Sequence, residues 1–142
     1  MFDDLYNSDI LTLSASLKNE RLDNPDGTSR KVSKLCGSWL EIDVMMEDDV
    51  VQNCALRVQA CALGQSSAAI LKGAINGASL KEITDASEAL RLMLKKGGQP
   101  PKGRFEKLAL LKGVAAYPAR HTSTLLAFEA ARCAVSQALT DA

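Results

Sequence analysis

The feature that most constrains this chain is a change of hydrophobic period at Cys61. Upstream, Leu40, Ile42, Val44 and Met46 alternate with Glu41, Asp43 and Met45. After the acidic turn Glu47-Asp48-Asp49, a second run places Val50, Cys54, Leu56, Val58 and Ala60 against Val51, Asn53, Arg57 and Gln59. A period of two puts successive side chains on opposite faces of a sheet. Two such runs joined by a short polar turn predict an antiparallel hairpin, because parallel pairing needs a long crossover. Downstream of Cys61 the apolar residues Leu63, Ile70, Leu71 and Ala74 share a helical face instead.

The flanking segments extend this reading. Leu5, Ile10, Leu13 and Leu17 form one face of a first helix over residues 4–17, and Leu22-Asp23-Asn24-Pro25-Asp26-Gly27 breaks the chain. Residues 31–36 are a candidate third strand. Gly77 ends the helix that follows Cys61. Ser79-Leu80-Lys81-Glu82 then matches a capping box, with the hydroxyl on the N3 amide and the glutamate reaching back. A helix runs from there to about Lys96. The Gly97–Gly103 stretch is a loop, residues 105–111 a short helix, and Tyr117-Pro118 a break before a last, alanine-rich helix over 122–139. Strands first and helices after predict an α+β domain: a small antiparallel sheet of about three strands with helices packed on one face. The 142 residues fit one domain spanning 1–142.

Composition excludes several classes. The 17 basic and 17 acidic residues cancel and form no Lys/Arg block, so no nucleic-acid or polybasic membrane footprint is present. No stretch approaches the roughly 18 apolar residues of a membrane helix. The acidic opening Met1-Phe2-Asp3-Asp4 argues against a signal peptide, and the expected location is the cytoplasm. There, four cysteines are free thiols or metal ligands rather than disulfides. No Walker A, G-x-S-x-G, C-x-x-C or H-E-x-x-H pattern occurs, so any metal site must be assembled from distant segments.

Three residues sit where chemistry is usually placed. Cys36 precedes Gly37 at a strand end. Cys61 stands where a strand hands over to a helix, and the positive end of a helix macrodipole favours a thiolate. It is the best candidate for a metal ligand or persulfide acceptor, against the alternative of a small buried residue. His121, the single histidine, precedes the last helix on an expected loop. Cys54, in phase with Leu56 and Val58, and Cys133, among Ala130, Ala131 and Ala134, are expected to be buried core residues.

Several of these segments together resemble the IscU/NifU/SufU family of iron–sulfur cluster assembly scaffolds. Asn24-Pro25 is similar to the family's N-P turn, and Cys36-Gly37 to its C-G-D motif. Residues 60–68 resemble its second cysteine motif, and residues 77–82 its G-K-[ST]-x-x-E. Pro118-Ala119-Arg120 with Leu126 and Phe128 is similar to P-x-R-x-x-C-x-x-L-x-W. The likeness runs from about Tyr6 to Ala138. It implies a scaffold or carrier rather than a turnover enzyme. Such a protein binds iron, zinc or a nascent iron–sulfur cluster, takes sulfur from a cysteine desulfurase and serves recipient iron–sulfur proteins. The chain departs from the pattern at Ser38, where the family has aspartate, and at Ser123, where it has the third cysteine. Thr122 stands where some members have histidine. Cys36 and Cys61 carry over as cluster ligands, and His121 is the candidate replacement because imidazole suits iron and zinc. The alternatives are a metal-free docking module and a zinc-dependent sulfurtransferase partner of a desulfurase.

Overall fold

In a computed structural model, residues 7–34 and 37–141 are described. The first turn of the expected N-terminal helix and Cys36 lie outside them. Helix α1 spans Ser8–Ser16, capped by the Asn7 side chain on the Ile10 amide at 3.0 Å. Three strands follow: β1 (Gly27–Val32), β2 (Trp39–Glu47) and β3 (Val50–Gln59). They pair antiparallel in the order β1-β2-β3. Helix α2 is Ala62–Ala74 and α3 is Leu80–Lys96. A run of 3₁₀ turns over Gly103–Ala116 and a short one at Pro118–Arg120 lead into the last helix, α4 (His121–Asp141). This is the expected α+β architecture.

The hairpin forms where the period-two runs are, and its turn is tight. Asp48 and Asp49 carry φ of 53° and 65°, the positive values that a two-residue turn needs to match strand twist. One detail differs from simple alternation. Met45 pairs with Asn53 and Met46 with Val51, so Gln52 is an extra residue in β3. This bulge shifts the phase by one, and Val51, not Val50, is the buried residue ahead of Cys54. The first strand begins at Gly27 rather than at 31. The Ser33 amide bonds the Ser38 carbonyl at 2.8 Å, and the Gly37 amide bonds Ser33 O at 2.9 Å. β1 therefore ends at Val32 and β2 begins at Trp39, with Ser33 and Ser38 bonded to each other just outside the strands.

Helix α4 lies across the inner face of β1 and β2 and packs laterally against α2 and α3. Its Ala127, Ala130, Ala131 and Ala134 are buried. Small side chains let the backbones approach, most closely at Gly27: a Cβ there would stand 2.1 Å from Ala134 O. Phe128 meets Phe105 edge to face, with centroids 5.2 Å apart. Helix α3 starts at the expected capping box of Ser79 and Glu82 and ends at Gly97 in the left-handed conformation. The segment expected as a short helix is longer and wound differently. Phe105, Leu108, Leu111 and Val114 are buried at intervals of three. That spacing aligns with a 3₁₀ helix, whose side chains at i and i+3 eclipse.

Candidate functional site

Cys61 is the N-cap residue of α2, with extended backbone angles (φ −67°, ψ 170°) and no side-chain cap on the helix amides. The strand ends and the helix begins at this residue, so its half-buried thiol projects beside the first turn of α2. Opposite it stands the first turn of α4. Ser123 Oγ lies 3.4 Å from Cys61 Sγ. Ser123 is buried and also contacts Arg120 O at 3.4 Å, while Thr124 Oγ1 donates to that same carbonyl at 2.8 Å. Ser123, which the resemblance in sequence sets at the third-cysteine position, faces the thiol as a hydroxyl.

His121 is the first residue of α4 rather than part of a loop, and it is buried. Its Nε2 lies 3.1 Å from Val114 O and 3.2 Å from Ala115 O. Carbonyl oxygens only accept, so Nε2 carries a proton and donates, and Nδ1 is the ring nitrogen left for any other partner. Metal-binding histidines commonly donate their other ring N–H to a backbone carbonyl in this way. Any ligation by His121 must therefore use Nδ1. Cys36 lies outside the described residues, between Lys34 and the described Gly37. Among the described residues, no three His, Cys, Asp or Glu side chains gather as a metal site. The described donors alone do not make a coordination sphere.

The other thiols separate. Cys54 is buried as expected; burial raises its pKa, with the nearby Lys72 ammonium acting in the opposite direction. Cys133, expected to be buried, is only half-buried on α4.

A second polar constellation lies on the outer face of the sheet. Arg57 grips Asp43 with two parallel bonds of 2.9 Å, reaches Glu41 Oε1 at 3.2 Å, and donates to Glu20 O at 2.8 Å. Asp43 also accepts from the Leu22 amide at 3.1 Å. The chain after α1 thus crosses this face and buries a strand position that alternation assigns to solvent. Burial works to raise the Asp43 pKa, but the Arg57 fork and the Leu22 amide outweigh it and hold the carboxyl below its ordinary value. Hydrogen bonds from Arg57 and Arg30 lower Glu41 likewise. Glu41 and Arg57 are opposed because the bulge at Gln52 shifts the register by one; a two-residue turn without it would set Glu41 against Leu56.

No family model matches the chain. Among curated proteins it is similar to the iron-sulfur cluster assembly scaffold protein IscU of Streptococcus pyogenes serotype M1, 25% identical over 102 residues. That match covers 72% of this chain and 64% of the length of the streptococcal protein. Among solved structures, the N-terminal part of a NifU-like protein from Brucella abortus superposes with a TM-score of 0.95. It is 38% identical, over 99% of each chain. The SufU structure from Fervidobacterium islandicum AW-1 superposes with a TM-score of 0.84 at 19% identity, over 92% of this chain and 96% of that one. At that identity the likeness is one of fold.

Proposed function

The chain belongs to the IscU/NifU/SufU family, and from that premise we propose that it is a scaffold or carrier in iron–sulfur cluster assembly rather than a turnover enzyme. The observation that carries the reading is the 38% identity to the Brucella NifU-like protein along 99% of both chains. In this reading the cluster is cargo. Cys61 and Cys36 supply the thiolates and His121 Nδ1 is the third donor, leaving a coordination position open for loading and transfer. Zinc is the alternative occupant. The partners are a cysteine desulfurase and recipient iron–sulfur proteins, and the compartment is the cytoplasm.

Sulfur delivery follows from the accessible thiol. The Cys61 thiolate attacks the outer sulfur of a persulfide carried by the desulfurase. The sulfur–sulfur bond there breaks, the desulfurase cysteine leaves as thiolate, and a new sulfur–sulfur bond stands on Cys61. Thiolate and persulfide simply exchange, so no external oxidant or reductant is consumed.

Ser123 in place of a thiol favours weak and labile loading over storage. The same feature supports a second reading, a docking module that holds no metal. Anaerobic incubation with ferrous iron, a desulfurase and cysteine, followed by metal analysis and intact mass, tests both. The scaffold reading expects one added sulfur atom on Cys61 of the wild-type chain, iron and sulfide once an added thiol reductant supplies the two electrons that turn persulfide sulfur into sulfide, and loss of both in Cys61→Ser. His121→Ala should weaken loading and Ser123→Cys should strengthen it. A folded wild-type chain that takes up neither iron nor sulfur rejects this reading and leaves the docking module.

A further inference from the structure

Gly64 occupies the first turn of α2, three residues after Cys61. Glycine in a helix costs about 1 kcal/mol relative to alanine, and no unusual backbone angle accounts for it here: Gly64 is not among the residues with positive φ. Space accounts for it. A Cβ on Gly64 would lie 2.9 Å from Ala60 Cβ, 3.1 Å from Ser123 O and 3.6 Å from Ser123 C. Ala60 closes the strand side of Cys61 and Ser123 belongs to the first turn of α4. A side chain at 64 therefore wedges between the two segments that flank the thiol. Gly73, in the same helix, has nothing within 4 Å of its would-be Cβ.

We propose that Gly64 is a positioning residue for the Cys61 site: its missing side chain lets the first turn of α4 seat Ser123 against the thiol. Ser123 O, which the wedge would displace, and Ser123 Oγ, which stands 3.4 Å from Cys61 Sγ, belong to one residue. Relief of the clash at 64 thus shifts Ala60, next to Cys61, or Ser123, which faces it, and either changes the spacing at the thiol. The functional consequence rests on the scaffold reading above; the geometric consequence does not.

The two are tested separately. The Ser123→Cys variant serves as a ruler, because disulfide formation demands close sulfur approach. The bond between positions 61 and 123 is quantified by peptide mapping after equilibration in glutathione buffers, with Gly64, Gly64→Ala or Gly73→Ala in the background. Gly64→Ala should lower the effective concentration of the two thiols about fivefold, since sub-ångström misplacement already erodes such proximity. Gly73→Ala should leave it unchanged. Equal values in all three backgrounds, with thermal midpoints showing each folded, would overturn the proposal. With Ser123 restored, Gly64→Ala should load iron and sulfur at least about threefold less than Gly73→Ala, by the same proximity argument. A drop in the ruler with loading unchanged would also overturn the positioning role. If the wild-type chain loads nothing, the scaffold reading falls and the ruler alone decides the geometry.

Discussion

Replacing Asp43 with asparagine keeps the shape of the side chain and removes its charge. Arg57 and Asp43 side chains are only 9% and 6% exposed, joined by a two-bond fork. Removing one partner of a buried pair typically costs about 3–5 kcal/mol, because the remaining charge stays desolvated. Here Arg57 keeps Glu41 Oε1 and Glu20 O, so the lower end applies, about 3 kcal/mol. For a chain of this size that is a fall of about 10 °C in Tm. Urea denaturation monitored by circular dichroism measures it without adding ionic strength. The sign of the pH dependence is fixed by the lowered Asp43 pKa. Its stabilisation is present above the ordinary carboxylate range of about 4 and is lost as pH falls through the lower folded value. The gap between wild type and Asp43→Asn should be widest at neutral pH and should narrow in acid. A loss below about 1 kcal/mol at neutral pH, the scale of an exposed ion pair, would refute the assignment of a buried pair. So would a gap that widens as pH falls.

Three further outcomes follow from the packing. Gly27→Ala should destabilise by about 2–3 kcal/mol, the cost of overpacking, since its Cβ would meet the Ala134 carbonyl at 2.1 Å; a Tm within a degree of wild type would show that β1 and α4 can separate freely. Ser67 Oγ is fully buried with no hydrogen-bond partner among the described residues, so Ser67→Ala should be neutral or stabilising by about 1 kcal/mol. A clear loss of stability in the same urea titration would count against that reading. Cys54→Ala should cost about 1 kcal/mol through lost packing and leave iron and sulfur loading unchanged. Loss of loading in a folded Cys54→Ala chain would place that thiol in the site.

The sequence by itself determined everything that local periodicity and short-range chemistry govern. Alternation along β2 and β3 fixed the hairpin, because a one-residue slip would turn Ile42 and Leu56 to solvent. Ser79 and Glu82 fixed the start of α3, because both halves of a capping box lie within one turn. The spacing of Phe105, Leu108, Leu111 and Val114 carries the 3₁₀ period in the sequence itself. Only the tertiary structure decided the rest. The bulge at Gln52 arises from pairing with β2, and Asp43 is buried because a segment some twenty residues earlier crosses its face. His121 became a helix start anchored on Val114 and Ala115 rather than a loop ligand pointing outward. The neighbourhood of Cys61 depends on how closely α4 can approach α2. That distance is set where Gly64 meets Ser123, residues far apart in the chain, and the physical reason is excluded volume between two backbones, which no local pattern encodes.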